Sequence, residues 1–221
     1  MHIPDSFIPL NQSLAYWLIA LPFIITSMKW ARNELDEMKV PILAALAAGI
    51  FAIQAMNIPI GMGTSGHMVG AALVAIVFGS PWAGVLVLTL VLLVQGFVFG
   101  DGGITTLGAN ILNMGVVSGF VGYYTYVALR KSLSTSLSAF GGAWLGLFSS
   151  ALVCAVQMSF AGTFPLVPGL IAMGTFHLVI GFLGEGLITS VAVTAISKSR
   201  PDLFEDNIET RKDRLEKEAL A

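Results

Sequence analysis

Long runs of this chain carry no charged side chain, and that decides what it can fold into. Apolar segments of roughly membrane-spanning length occur at residues 13–28, 40–57, 68–80, 83–99, 108–129, 137–160 and 170–197. A soluble surface needs charge, and soluble domains carry about 25% charged residues. Here the charged share is 11% and the hydrophobic share 56%. The fold class this predicts is an all-α integral membrane protein with seven transmembrane helices. Residues 68–80 fall short of the ~17–25 residues a spanning helix needs, so that helix is expected to start before or within the GTSGH stretch. The last segment is long enough to tilt or to extend beyond the bilayer.

The basic residues test the count independently. Lys29, Arg32 and Lys39 lie between the first two segments, and Arg130 and Lys131 between the fifth and sixth. Lys198, Arg200, Arg211, Lys212, Arg214 and Lys217 follow the seventh. On an alternating seven-helix path all 11 fall on one side. The positive-inside rule makes that side cytoplasmic and puts the N-terminus outside. The domain reading is a single transmembrane domain over residues 1–197 and a polar cytoplasmic tail over 198–221, in the cell membrane.

Several chemistries are excluded or disfavoured. No G-x-x-x-x-G-K-[ST] occurs, so ATP hydrolysis at a P-loop is not expected. GDGG follows a membrane segment rather than a strand and reads as a flexible external turn. The single Cys154 sits in an apolar run and can form no disulfide framework. The start HIPDSFIPL lacks a basic n-region and an A-x-A site, so Met1 is expected to be retained. Nothing points to a permanent cofactor or to nucleic acid. Gly115-x-x-x-Gly119 and Gly142-x-x-x-Gly146 suit close helix packing.

The three histidines are His2, His67 and His177. A lone histidine at a helix end is more often a hydrogen-bonding group than a ligand, but His2 is one peptide bond from a free amine. The Met1 amine, the His2 amide nitrogen and His2 Nδ1 can bind one ion, closing a five-membered and a six-membered ring. The three donors lie nearly in a plane and leave one in-plane position, which a ring nitrogen of His67 can fill. Four planar nitrogens suit Ni(II) or Cu(II) and can be imposed on Co(II). Affinity is expected to fall with pH, because the amine and imidazole must lose protons. Pro4 stiffens the chain beyond the chelate, and Phe7, Ile8 and Leu10 let the segment tuck into a bundle. Other intramembrane polar groups are Gln54, Asn57, Gln95, Asn110, Asn113, Gln157, His177 and Glu185. The last two are read as structural anchors. They lie about 80° apart around one helix and need not share a site.

MHIPDSFIP, the run from GTSGHMVGAALV to GDGGITTLGANILNMGV, and HLVIGFLGEGLIT resemble the CbiM/NikM proteins, the substrate-binding (S) components of energy-coupling-factor (ECF) importers for cobalt and nickel. The resemblance covers the chain to about residue 200. It implies a six-helix S-component core plus an extra N-terminal helix, and metal held by Met1, His2 and His67. It also implies partners: a transmembrane coupling (T) subunit, ATP-binding cassette ATPases and a small accessory membrane subunit, which is expected to be a separate chain. This chain would then be a transport subunit and not an enzyme. The cargo it implies is Co(II) for cobalamin biosynthesis, with Ni(II), favoured by ligand-field chemistry, as the alternative.

Two competing readings are carried. Gly63-Thr64-Ser65-Gly66 with His177 supplies the parts of an intramembrane serine protease dyad, although no oxyanion-hole histidine and asparagine accompany it. Glu185 in an ion path would instead make the chain a stand-alone channel or secondary transporter.

Overall fold

The structure is a computed structural model that describes residues 1–61 and 64–204. Nine residues outside any helix lead into α1 (Leu10–Glu34) and α2 (Val40–Gln54). Two short antiparallel strands follow, β1 (Ile58–Gly61) and β2 (Thr64–Gly66), pairing Ile58 with Gly66 and Pro59 with Ser65. The remaining helices are α3 (Ala71–Val77), α4 (Pro81–Phe99), α5 (residues 107–129), α6 (Thr135–Phe160) and α7 (Leu166–Ser199). Their starts follow local chemistry. Proline opens α2 and α4, where its missing N–H costs nothing. The Ser134 hydroxyl accepts the Leu137 amide and caps α6.

Among the described residues four helices, α1, α4, α6 and α7, are long and apolar enough to cross a membrane. The α1 helix is peripheral and exposes Leu14, Leu18, Ile25 and Met28, while α4 and α6 are about half buried and central. The α5–α6 crossing is close. A Cβ added to Gly142 would lie 2.6 Å from the Gly122 carbonyl oxygen, and one on Gly146 would lie 2.7 Å from that of Ser118. Small residues at these positions let the backbones touch.

The segment before α3 departs from expectation. No helix begins in GTSGH: Thr64–Gly66 is a strand, and α3 starts only at Ala71, after Gly70 turns the chain at φ +80°. All seven residues of α3 are buried. It therefore sits inside the bundle and needs no lipid-spanning length. The non-helical backbone that precedes it is tolerated because protein groups take up its hydrogen bonds. Gly63 and the tail residues 205–221, including Arg211, Lys212, Arg214 and Lys217, lie outside the described residues.

Three helices widen into π-helical turns, at Gln95–Phe99 in α4, Ile111–Val117 in α5 and Gly181–Gly186 in α7. Such turns re-aim side chains and gather at functional positions. The first contains Gln95 and the second abuts Asn110, which reach one place described next.

Candidate metal-binding site

The first residues lie inside the molecule. Met1 and Ile3 are 1% and 0% exposed, and His2 is buried with them. Ile3 is held on both sides of its peptide: its N–H donates to Asn110 Oδ1 at 2.9 Å, and its carbonyl accepts from Gly103 N, Thr106 Oγ1 and Asn110 Nδ2. Asp5 locks the same bed from above, its carboxylate accepting from Ile104 N, Thr105 N and Thr105 Oγ1. These bonds hold the Asp5 carboxyl below its usual range, the Thr105 hydroxyl contributing most. The GDGG stretch is thus the bed of the terminus rather than a free turn. A Cβ on Gly103 would strike Asp5 N at 2.4 Å, and one on Gly102 (φ +82°) would crowd the His2 ring.

The Met1 amine donates to the Ser65 carbonyl, and Cys154 Sγ–H donates to the Met1 carbonyl at 3.5 Å. Hairpin, α6 and terminus therefore meet at one point. The His2 and His67 rings, 65 residues apart in sequence, stack with centroids 4.6 Å apart and planes 26° from parallel.

Hydrogen bonds fix the tautomers. Gln95 Oε1 can only accept, so His2 Nε2, 3.1 Å away, carries the proton. The Met68 carbonyl can only accept, so His67 Nδ1, at 2.7 Å, carries it there. In neutral rings the lone pairs then lie on His2 Nδ1 and His67 Nε2. Both atoms are buried without a hydrogen-bond partner. Asp101 Oδ1 stands 3.6 Å from His2 Nδ1, and its other oxygen accepts from Asn57 Nδ2 at 3.1 Å.

Burial also keeps the nitrogens neutral. It lowers the Met1 amine from 8.0 to about 5, against the pull of Cys154 and Asp101. It lowers His2 from 6.5 to about 4, with the nearby amine adding to the effect. His67 is driven well below its ordinary value by burial, then by the amine, His2 and His177. The result is a buried cluster of neutral nitrogen groups. No cluster of three or more His, Cys, Asp or Glu side chains suited to a metal occurs among the described residues. The donors gathered here are partly backbone.

A family model described as CbiM, the cobalt uptake substrate-specific transmembrane region, matches residues 2–203. The chain belongs to the CbiM family. It is 36% identical to a putative metal transport protein of Methanocaldococcus jannaschii, over 92% of this chain and 95% of that one. It is 38% identical to a putative fused nickel transport protein NikMN of Archaeoglobus fulgidus, over 93% of this chain and 68% of that one. A crystal structure of a truncated transition metal transporter superposes with a TM-score of 0.85 at 32% identity, covering 90% of this chain and 99% of that one.

Against this CbiM frame the predicted site residues sort cleanly. Met1, His2 and His67 are brought together. The protease dyad does not form: Ser65 Oγ donates to Asn57 Oδ1 at 3.3 Å, and its carbonyl serves the Met1 amine. His177 Nδ1–H donates to the Met173 carbonyl, and its Nε2 has no hydrogen-bond partner. The residues that composition and spacing did not single out are Asp5, Asp101 and Thr106, together with the specific roles of Gln95 and Asn110. The only signal for them was their clustering in loops and helix ends on the face assigned to the outside.

Proposed function

We propose that this CbiM-family protein is the metal-capture subunit of an ATP-driven ECF importer, taking up Co(II) for cobalamin biosynthesis. The ion is held by the Met1 amine, the His2 amide nitrogen, His2 Nδ1 and His67 Nε2. The observation that carries the reading is the pair of buried lone pairs on His2 Nδ1 and His67 Nε2, left free by bonds that occupy the other ring nitrogens. The family description, which names cobalt uptake, supports the cargo. Ni(II) is the second reading, favoured by the planar amide-containing chelate and by the nickel-named relative.

The aqua ion arrives from the outer face, loses its water and meets an amine and imidazoles that are already neutral. The His2 amide gives up its proton to solvent as the metal–nitrogen bond forms, so one proton leaves per ion bound. His67 turns its Nε2 from the stacked arrangement toward the ion. The chain crosses the membrane seven times with its N-terminus outside and its tail in the cytoplasm. Release is driven by a T subunit and ABC ATPases, with a small accessory membrane subunit assisting.

The test is metal analysis and visible spectroscopy of protein with its native start, beside a form with one residue added before Met1 and the His67→Ala variant. The native form should bind one ion with a planar-nitrogen spectrum, and the other two should lose it. Equal binding by the extended form would overturn the site. Loading Co(II) and Ni(II) in competition decides between the cargoes, and ATP-independent flux by this chain alone in liposomes would favour the channel reading.

A further inference from the structure

Glu185 is the only acidic residue between Asp101 and Asp202, and it is 3% exposed. Among the described residues its carboxylate meets backbone amides rather than a cation. Oε2 accepts the Val69 N–H at 2.8 Å, and Oε1 accepts the Gly70 N–H at 2.7 Å. The Val69 N–H belongs to the same peptide group as the Met68 carbonyl, and that carbonyl accepts the His67 Nδ1 proton at 2.7 Å. One peptide plane therefore joins the carboxylate to the imidazole: its N–H points into Glu185 and its C=O into His67.

The plane is held on its flanks as well. Gln54 Nε2 donates to the Val69 carbonyl at 2.8 Å. The π-helical turn Gly181–Gly186 brings α7 so close that a Cβ on Gly184 would lie 2.7 Å from Met68 Sδ. Contacts from α7 thus fall on residues 68, 69 and 70, the three that follow His67.

We infer that Glu185 is the positioning residue for the His67 ligand, acting through the Met68–Val69 peptide as a carboxylate–peptide–histidine relay. This rests on the metal-site reading above. Metal-bound histidines commonly give their second N–H to a carboxylate or a carbonyl, which fixes the ring and raises its basicity. Here the two arrangements are in series. The carboxylate polarises the peptide, the peptide carbonyl becomes a stronger acceptor, and His67 Nε2 becomes a better donor to the ion. A shift of α7 that withdraws Glu185 would relax the peptide and weaken the fourth metal bond, which links the membrane bundle to metal release.

The experiment uses the full chain with its native start, loaded with Co(II) or Ni(II), as wild type, Glu185→Gln, His67→Ala and the double variant. Glu185→Gln should weaken metal binding about 10- to 100-fold and move the visible band toward that of His67→Ala. The double variant should be no weaker than His67→Ala alone, because the two groups act on one bond. Amide hydrogen exchange in the wild type, which needs no substitution, should show Val69 and Gly70 protected, and more so with metal bound. A wild-type spectrum and affinity in Glu185→Gln, beside a clear loss in His67→Ala, would overturn the relay alone. Freely exchanging Val69 and Gly70 amides in folded protein would do the same. No effect of His67→Ala would overturn the metal site itself.

Discussion

His2 and His67 announce themselves in the sequence because histidine is rare here and one copy stands beside the terminal amine. What could not be read is which ring nitrogen is free, since that depends on Gln95 and on a backbone carbonyl. Replacing Gln95 by Leu removes the acceptor of the His2 Nε2 proton, and metal affinity should fall about 10-fold or more, measured by competitive titration. The structure also sharpens the pH dependence. Burial holds the Met1 amine at about 5 and His2 at about 4, so between about pH 6 and 8 neither competes with the ion. Only the His2 amide proton is then displaced, and log affinity should rise by about one per pH unit. A slope near two would mean the amine is still protonated. Below about pH 5 the slope should steepen as the amine takes up its proton.

Helices were legible through apolar runs, whereas the elements that carry the site were not. Residues 68–80 fell short of spanning length, and the expected earlier start in GTSGH was wrong, because hydropathy cannot show that the helix Ala71–Val77 is buried among the others. The hairpin Ile58–Gly66 escaped for a related reason: its pairing is held by tertiary contacts, among them the Met1 amine on Ser65. GDGG looked like loose turn chemistry, yet Gly102 and Gly103 are needed for close approach. Gly103→Ala would place a methyl against Asp5 N, so residues 1–5 should be displaced. Metal binding should then be lost while the helices and their melting are kept, as circular dichroism and metal titration on one sample would show. Asn110→Leu, which removes one donor and one acceptor from Ile3, should act in the same direction.

The membrane class follows from the scarcity of charge, and the apolar belt exposed by α1 and α7 agrees with it. The proposed sidedness rests on the eleven basic residues and is open to a direct check. Cys154 is buried, so it should stay silent toward an impermeant maleimide. With this background, Met56→Cys should be labelled on intact cells, and Lys131→Cys only after the membrane is opened. The opposite result would invert the topology. Glu185 was legible as an oddity but not as a group bonded to the peptides after His67, because 118 residues separate it from that histidine and no helical periodicity relates α7 to the non-helical segment before α3.

The distances along the chain that close the site also set an order of events. Ile3 meets Asn110 across 107 residues, and the Met1 carbonyl meets Cys154 across 153. Residues 1–3 have no packed place until α5 and α6 are present. Contacts of such long sequence separation form late. The terminus is therefore the closing piece of the bundle, and a chain stopped before α6, which lacks Cys154, should hold no metal even though both histidines of the chelate are already present.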